Sequence, residues 1–352
     1  MLPEFFPIRP EISLITMLGY MLFAFLIGLI LTPWYVSLLK RNRLGKQLRV
    51  ETVDGREPTI FRKYHQDKGG TPTMGGLLIW GSIFMTIFFS RILSFFGVVD
   101  HSLLQRGQVY LPLFTLLSLG ILGAFDDYFN IVGKGKKGID WLPKLSLLLL
   151  ISIVGALWFY LKLGISEVSI PFYGSLEVGV WYVPIFLFIM IGTANAVNVT
   201  DGLDGLASGL LVIAYGAFAI LAYISGLYVL AAFCAVCVGA IAAFLWHNVP
   251  PALFFMGDTG SLALGGTLGL IALMTDMVLI LPLIGAIFVI EMLSVIIQLT
   301  SKRLRGGKKV FLAAPIHHHL EALEWGESKV TMRLWIIGGF FAFFGVIIGI
   351  FG

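Results

Sequence analysis

Residues 227–246 read LYVLAAFCAVCVGAIAAFLW, twenty positions without a charge. As a helix rising 1.5 Å per residue, they would reach about 30 Å, the thickness of a bilayer's hydrocarbon core. A helix at the surface of a soluble protein keeps one polar face for water, and this run has none. Cys234 and Cys237 give it a CxxC spacing. A redox or zinc site needs a wet, electropositive setting, so the two cysteines read as small buried residues.

The rest of the chain continues the pattern. Of its 352 residues, 58% are hydrophobic and 12% charged, where a soluble domain carries about 25% charged residues. Ten segments have the composition of a span: 14–38, 74–96, 109–126, 144–164, 181–199, 206–224, 226–246, 260–279, 280–301 and 332–351. The first is too long for a cleavable leader and lacks a small-residue cleavage site. The sequence therefore predicts an all-α polytopic membrane protein, with 1–352 as one integral domain. A net charge of +4 gives no sign of nucleic-acid binding.

Basic residues set the orientation. Nine of the 24 Lys and Arg lie between spans 1 and 2, four follow span 3, and six lie between spans 9 and 10, among them Lys302, Arg303 and Lys329. With ten spans these segments share one side, which is then cytoplasmic, and both termini face the periplasm. Residues 165–180 read as a small external hairpin.

The unusual polar residues fall on the basic side, although they played no part in assigning it. Lys68 and GTPTMGG (70–76) lead into span 2, and Asp126-Asp127 lies at the end of span 3. NVTDGLDGLA (198–207) joins spans 5 and 6, HNVPPALFFMGDTGS (247–261) joins spans 7 and 8, and PIHHHLE (315–321) precedes span 10. A helix cap is the ordinary explanation for such an Asp and suits Asp204. It does not suit Asp126-Asp127, expected at a helix C-terminus where the dipole disfavours negative charge. Two adjacent carboxylates there want a cation, and oxygen-only ligands suit Mg²⁺. If a helix continues through the turn, Asn198, Asp201 and Asp204 share a face. Residues 257–260 open span 8, where free N–H groups could receive a phosphate. Three consecutive histidines seldom converge on one zinc. The residues alone thus predict a Mg²⁺-dependent phosphate site at the membrane surface, with a lipid as one substrate.

These elements together resemble the phospho-N-acetylmuramoyl-pentapeptide transferases, within the polyprenyl-phosphate sugar-1-phosphate transferases, and the likeness extends over nearly the whole chain. The resemblance implies ten membrane helices, external termini, a homodimer in the bacterial inner membrane, and a cytoplasmic cleft. It implies a reaction of UDP-N-acetylmuramoyl-pentapeptide with undecaprenyl phosphate that yields lipid I and UMP with Mg²⁺ as cofactor. By the same resemblance Asp126, Asp127 and Asp258 are catalytic and hold the metal. Lys68, Thr73, Lys144, Asn198, Asp201, Asp204 and Asn248 line the nucleotide-sugar site. Phe255 stands beside the uracil, Gln298, His317 and His318 lie near the cleft, and a bent ninth helix borders a lipid groove. Asn130 stands where the family commonly has Lys, with Lys134 as the nearest substitute. Two other readings are an N-acetylglucosamine-1-phosphate transferase, disfavoured by the His triplet, and a transporter. Intramembrane acids also mark ion paths, and Glu291 falls near the middle of span 9. It is expected to face a polar cleft or a partner.

Overall fold

Ser13 starts the first helix by accepting the Thr16 N–H at 3.1 Å, and α1 (Leu14–Arg41) runs to a basic last turn at Lys40 and Arg41. Cations there complement the carbonyl end of the helix. The structure is a computed structural model that describes residues 12–45, 68–104, 108–133 and 138–352. The helices that follow are α2 (Gly76–Phe95), α3 (Tyr110–Val132), α4 (Trp141–Leu157), α5 (Tyr182–Thr200), α6 (Leu206–Ile224) and α7 (Tyr228–Asn248). Beyond them come α8 (Asp258–Met274), α9 (Leu281–Ile284), α10 (Ala286–Leu304), α11 (Ile316–Ala322) and α12 (Glu327–Phe351).

Among the described residues, eight helices, α1 to α7 and α12, are long and apolar enough to cross a membrane, α4 with its continuation to Lys162. Their spanning windows range from 22% buried in α1 and α12 to 78% in α7, which places α7 centrally and the other two at the periphery. The run that opens the sequence is thus a central helix, its two cysteines free and fully buried.

The other two expected spans take different forms. The eighth becomes α8, only 17 residues long, with residues 259–274 all buried and α2, α3, α5 and α6 packed around it. A segment enclosed by protein needs no lipid-facing side chains. The ninth breaks at Gly285 into α9 and α10. One face of α10 buries Glu291, Ser294, Gln298 and Ser301, and the opposite face exposes Leu293, Ile296 and Ile297. Its polar stripe points inward, the reverse of a soluble amphipathic helix. Composition alone marked 280–301 as a span because this stripe is short and interrupted.

The expected hairpin forms from β1 (Glu167–Ile170) and β2 (Gly174–Glu177), antiparallel, with Val168 opposite Leu176. Asp276, in the turn after α8, accepts from the Ser169 backbone at 3.2 Å and from the Ser169 hydroxyl. Burial raises the Asp276 carboxyl above its ordinary range, and the Ser169 donors oppose that.

One close approach positions the site. A Cβ on Gly123 of α3 would collide with the Asp258 carbonyl, so only glycine lets α3 lie on the first turn of α8. Asp126 and Asp127 follow at the next turn.

Candidate active site

Helix α3 runs six residues beyond Asp126 to Val132, so the Asp pair does not end a helix as the sequence suggested. Asp127 is a cap after all, but of a different helix. Its Oδ1 accepts the Asp258 N–H at 3.1 Å, and its Oδ2 accepts the Thr259 N–H at 3.0 Å and the Thr259 hydroxyl at 2.6 Å. It thus satisfies the N-terminus of α8, which has no side-chain cap of its own, and its charge meets the positive end of that dipole. The N–H groups expected to receive a phosphate are therefore occupied: those of Gly260 and Ser261 bond to the Gly257 carbonyl.

Asp258 follows directly. Its Oδ1 accepts from Asn198 Nδ2 at 2.7 Å, and its Oδ2 pairs with Lys144 Nζ. Asn198 is held in turn by Ser261 Oγ at 2.8 Å. Asp126 Oδ1 accepts the Ile139 N–H at 3.0 Å, and its Oδ2 lies 3.7 Å from Lys144 Nζ. Lys144 thus sits between two carboxyls, and three carboxyls surround one ammonium. Thr73 Oγ1 borders the same place: a Cβ on Gly257 would meet it at 2.8 Å. Among the described residues, no group of three or more His, Cys, Asp or Glu forms a ready metal cage.

Helix α5 ends at Thr200 and α6 begins at Leu206, so Asn198, Asp201 and Asp204 do not share a helical face. Gly205, at φ 77°, turns the chain between them. Asp201 caps the end of α5. Asp204 does not cap α6, whose N-cap is Gly205 without a side-chain bond. Instead its Oδ1 takes Lys68 Nζ at 2.6 Å and its Oδ2 accepts the Ala252 N–H at 2.9 Å. Glu327, at the start of α12, takes the same Lys68 at 2.5 Å and the Asp204 N–H at 2.8 Å. The 72–76 segment pairs with the loop before α8: Phe255 N–H donates to Pro72 O at 2.8 Å, and Gly75 N–H donates to Phe255 O at 2.8 Å. The Phe255 side chain stays half-buried beside the fully buried Phe254.

Two expected ligand contacts have other work. Asn248 is buried, its oxygen accepting from Gly205 N–H and Ser208 Oγ at 3.0 Å each and its nitrogen donating to Phe254 O at 3.1 Å. Gln298 is buried and exchanges three bonds of 2.9–3.0 Å with the Val310 and Phe311 backbone. Both are braces with their polar atoms committed to the protein. The histidines diverge: His317 Nδ1 to Glu291 Oε2 at 3.0 Å, His318 Nδ1 to Glu321 Oε2 at 2.7 Å, and His319 Nδ1 to the Leu312 N–H at 3.2 Å. Glu291 faces a partner, as expected of a costly buried acid. Asn130 is half-buried on α3, and Lys134 lies outside the described residues.

The sequence missed Glu327, Thr259 and Ser261. Thr259 and Ser261 sit inside GDTGS, where a hydroxyl each side of a glycine was the available signal. Glu327 gave only an acid at a helix start, which every helix favours.

A polytopic helical membrane protein that gathers carboxyls, lysines and an asparagine at the ends of separate helices defines a class of membrane-embedded transferase, and residues 109–276 match Glycosyl transferase family 4. The chain is 41% identical over 326 residues to the phospho-N-acetylmuramoyl-pentapeptide-transferase of Anoxybacillus flavithermus, covering 92% of this chain and 95% of that one. It is 39% identical over 338 residues to that of Chloroflexus aurantiacus, with 92% and 86% covered, and 40% identical over 343 residues to that of Thermodesulfovibrio yellowstonii, with 92% and 89% covered. The chain belongs to the phospho-N-acetylmuramoyl-pentapeptide-transferase family.

Proposed function

We propose that this protein transfers phospho-N-acetylmuramoyl-pentapeptide from its UDP derivative to undecaprenyl phosphate. An oxygen of the lipid phosphate attacks the sugar-bearing phosphorus, a P–O bond forms, and the bond to the UMP phosphate breaks with UMP leaving. Lipid I and UMP are the products. The observation that carries this reading is the Asp126–Lys144–Asp258–Asn198 cluster at one end of the helices, where water-borne and lipid-borne substrates can meet.

Mg²⁺ fits this cluster, since it is usually bound by one or two carboxylates together with substrate phosphates. Asp258 and Asp126 would be its donors, because their Oδ2 atoms meet across Lys144, whereas both Asp127 oxygens are held by the backbone of α8. When bound, the ion would neutralise charge on the diphosphate and so admit a second phosphate. Lys144 supplies a further positive charge beside the two carboxyls. Asn198 fixes Asp258 through Nδ2. Asp127 holds the first turn of α8 and thereby the position of Asp258. Lys68 and Asp204, with Asp201 on the same turn, would hold the nucleotide-sugar, with Phe255 against the base. A general base has little to do, because a phosphate monoester with a second pKa of about 6 is mostly dianionic at neutral pH.

The excess of Lys and Arg in the loops on this side supports a site on the cytoplasmic face of the inner membrane with both termini outside, and the reading includes a homodimer. The test is UMP release by purified protein from UDP-N-acetylmuramoyl-pentapeptide. Release that requires both undecaprenyl phosphate and Mg²⁺ supports the reading, and release without the lipid overturns it.

A further inference from the structure

The Glu291–His317 pair lies apart from the carboxyl cluster, on α10 and α11, and both side chains are buried from solvent. Glu291 Oε2 meets His317 twice, at Nδ1 (3.0 Å) and at the backbone N–H (3.4 Å). The Glu291 carboxyl thus fixes the orientation of the imidazole ring through two contacts at one oxygen. His317 Nε2 has no hydrogen-bond partner and neither has Glu291 Oε1, two of five such buried side-chain atoms among the described residues. Nε2 lies directly beneath Gly202, where any Cβ would collide with the imidazole ring. The ring therefore sits hard against the turn, and only a glycine at 202 admits so close an approach. Gly202 stands between Asp201 and Asp204, the latter holding Lys68.

We propose that Glu291 is a positioning residue for the nucleotide-sugar: through His317 it fixes the seat on which the 201–205 turn rests, and so the placement of Asp201 and Asp204. The unpaired atoms fit this role. An apolar pair would fill the space without orphaned groups, whereas the Glu291 contact holds the ring in the one orientation seen beneath Gly202. Outer partners that hold a metal-ligating histidine commonly carry 10- to 100-fold effects, and the low end of that range is the expectation for this pair.

The inference rests on the function proposed above, and the test separates the two. UMP release is measured against UDP-N-acetylmuramoyl-pentapeptide and, separately, against undecaprenyl phosphate, for the unsubstituted protein, Glu291→Met, Gly202→Ala and the double variant. Methionine keeps the length of Glu291 without an acceptor. Gly202 has no positive φ, so an alanine there meets only the imidazole as an obstacle. Each single variant should raise KM for the nucleotide-sugar about 10-fold, leaving kcat and the lipid KM within about 3-fold. In the Glu291→Met background the ring can swing aside, so Gly202→Ala should add less than about 2-fold, a clear departure from additivity. A merely structural pair predicts a lower melting temperature with an unchanged KM in the folded fraction, and that result overturns the inference alone. So do independent, multiplicative effects. If Glu291→Met does not accumulate, a wild-type KM in folded Gly202→Ala overturns it equally. Absence of UMP release by the unsubstituted protein overturns the function and this inference with it.

Discussion

Two lysines in this molecule each sit between two carboxyls, and the two arrangements are built differently. Lys144 lies between Asp258 and Asp126, with Asp127 alongside, so acids outnumber the cation three to one. All three acids are tied to backbone N–H groups or to an amide on packed helices and their flanks. Lys68 lies between Asp204 and Glu327, closer to charge balance, and it joins a loop, a turn and a helix start. The first cluster retains an excess of negative charge on a rigid frame, which suits a divalent cation. The second carries a smaller excess, two carboxyls to one ammonium, and spans three separate stretches of chain, which suits a latch that holds the substrate loop in register.

Substitutions can break this contrast, and the largest effect is expected at Asp258. Asp258→Asn removes charge where the excess is needed and should abolish nearly all turnover, about 10³-fold or more, while the protein still folds. Measuring UMP release across a Mg²⁺ series checks this, since the remaining activity should demand more Mg²⁺. Wild-type turnover at ordinary Mg²⁺ would remove the metal from the first cluster.

Asp127→Asn comes next. An amide keeps one accepting oxygen but presents N–H groups in place of the other, so α8 keeps part of its cap and loses the charge at its dipole, about 0.3–1 kcal/mol. Asp258 shifts with it. Turnover should fall strongly, and Thr259→Val should fall less, because it removes only one of the three bonds. Assays at pH 9 should restore neither Asp126→Asn nor Asp127→Asn, because deprotonation is not what they lack. Recovery of most activity at pH 9 in either variant would make that residue the base.

The smallest effect belongs to the latch. Glu327→Gln leaves Lys68 with Asp204, and the glutamine oxygen can still accept the Asp204 N–H, so one charged contact is lost and the frame around it stays. The melting temperature should hardly move, and KM for the nucleotide-sugar should change by no more than about 3-fold. A collapse of kcat would show that Lys68 and Glu327 belong with the chemistry, and the contrast between the clusters would vanish.

Much of this was legible in the sequence, for definite reasons. Runs such as 227–246 admit only one secondary structure in a membrane, so eight of the ten expected spans appear as long helices close to their expected places. Asp126, Asp127, Asp258, Asn198 and Lys144 do come together, because each lies near a span end. What escaped was direction. Whether Asp127 serves its own helix or a neighbour depends on the Gly123 contact, which no local pattern displays. The same holds for Asn248 and Gln298, whose amides can brace or bind with equal chemistry and differ only in whether backbone groups reach them first. The enclosure of α8 and the inward polar stripe of α10 escaped because composition records apolar content and not what surrounds it.

The enclosure of α8 bears on how the protein can vary. A helix at a lipid boundary alternates between a strict side and a permissive side every 3.6 residues. With protein on every side, α8 has no permissive side. Tolerance to substitution along it should therefore be uniformly low, without a helical period, in contrast to α1 and α12, where lipid accepts almost any apolar replacement. The most constrained stretch of this chain would then be its shortest central helix, and the record of that constraint would look more like the core of a soluble enzyme than a membrane span.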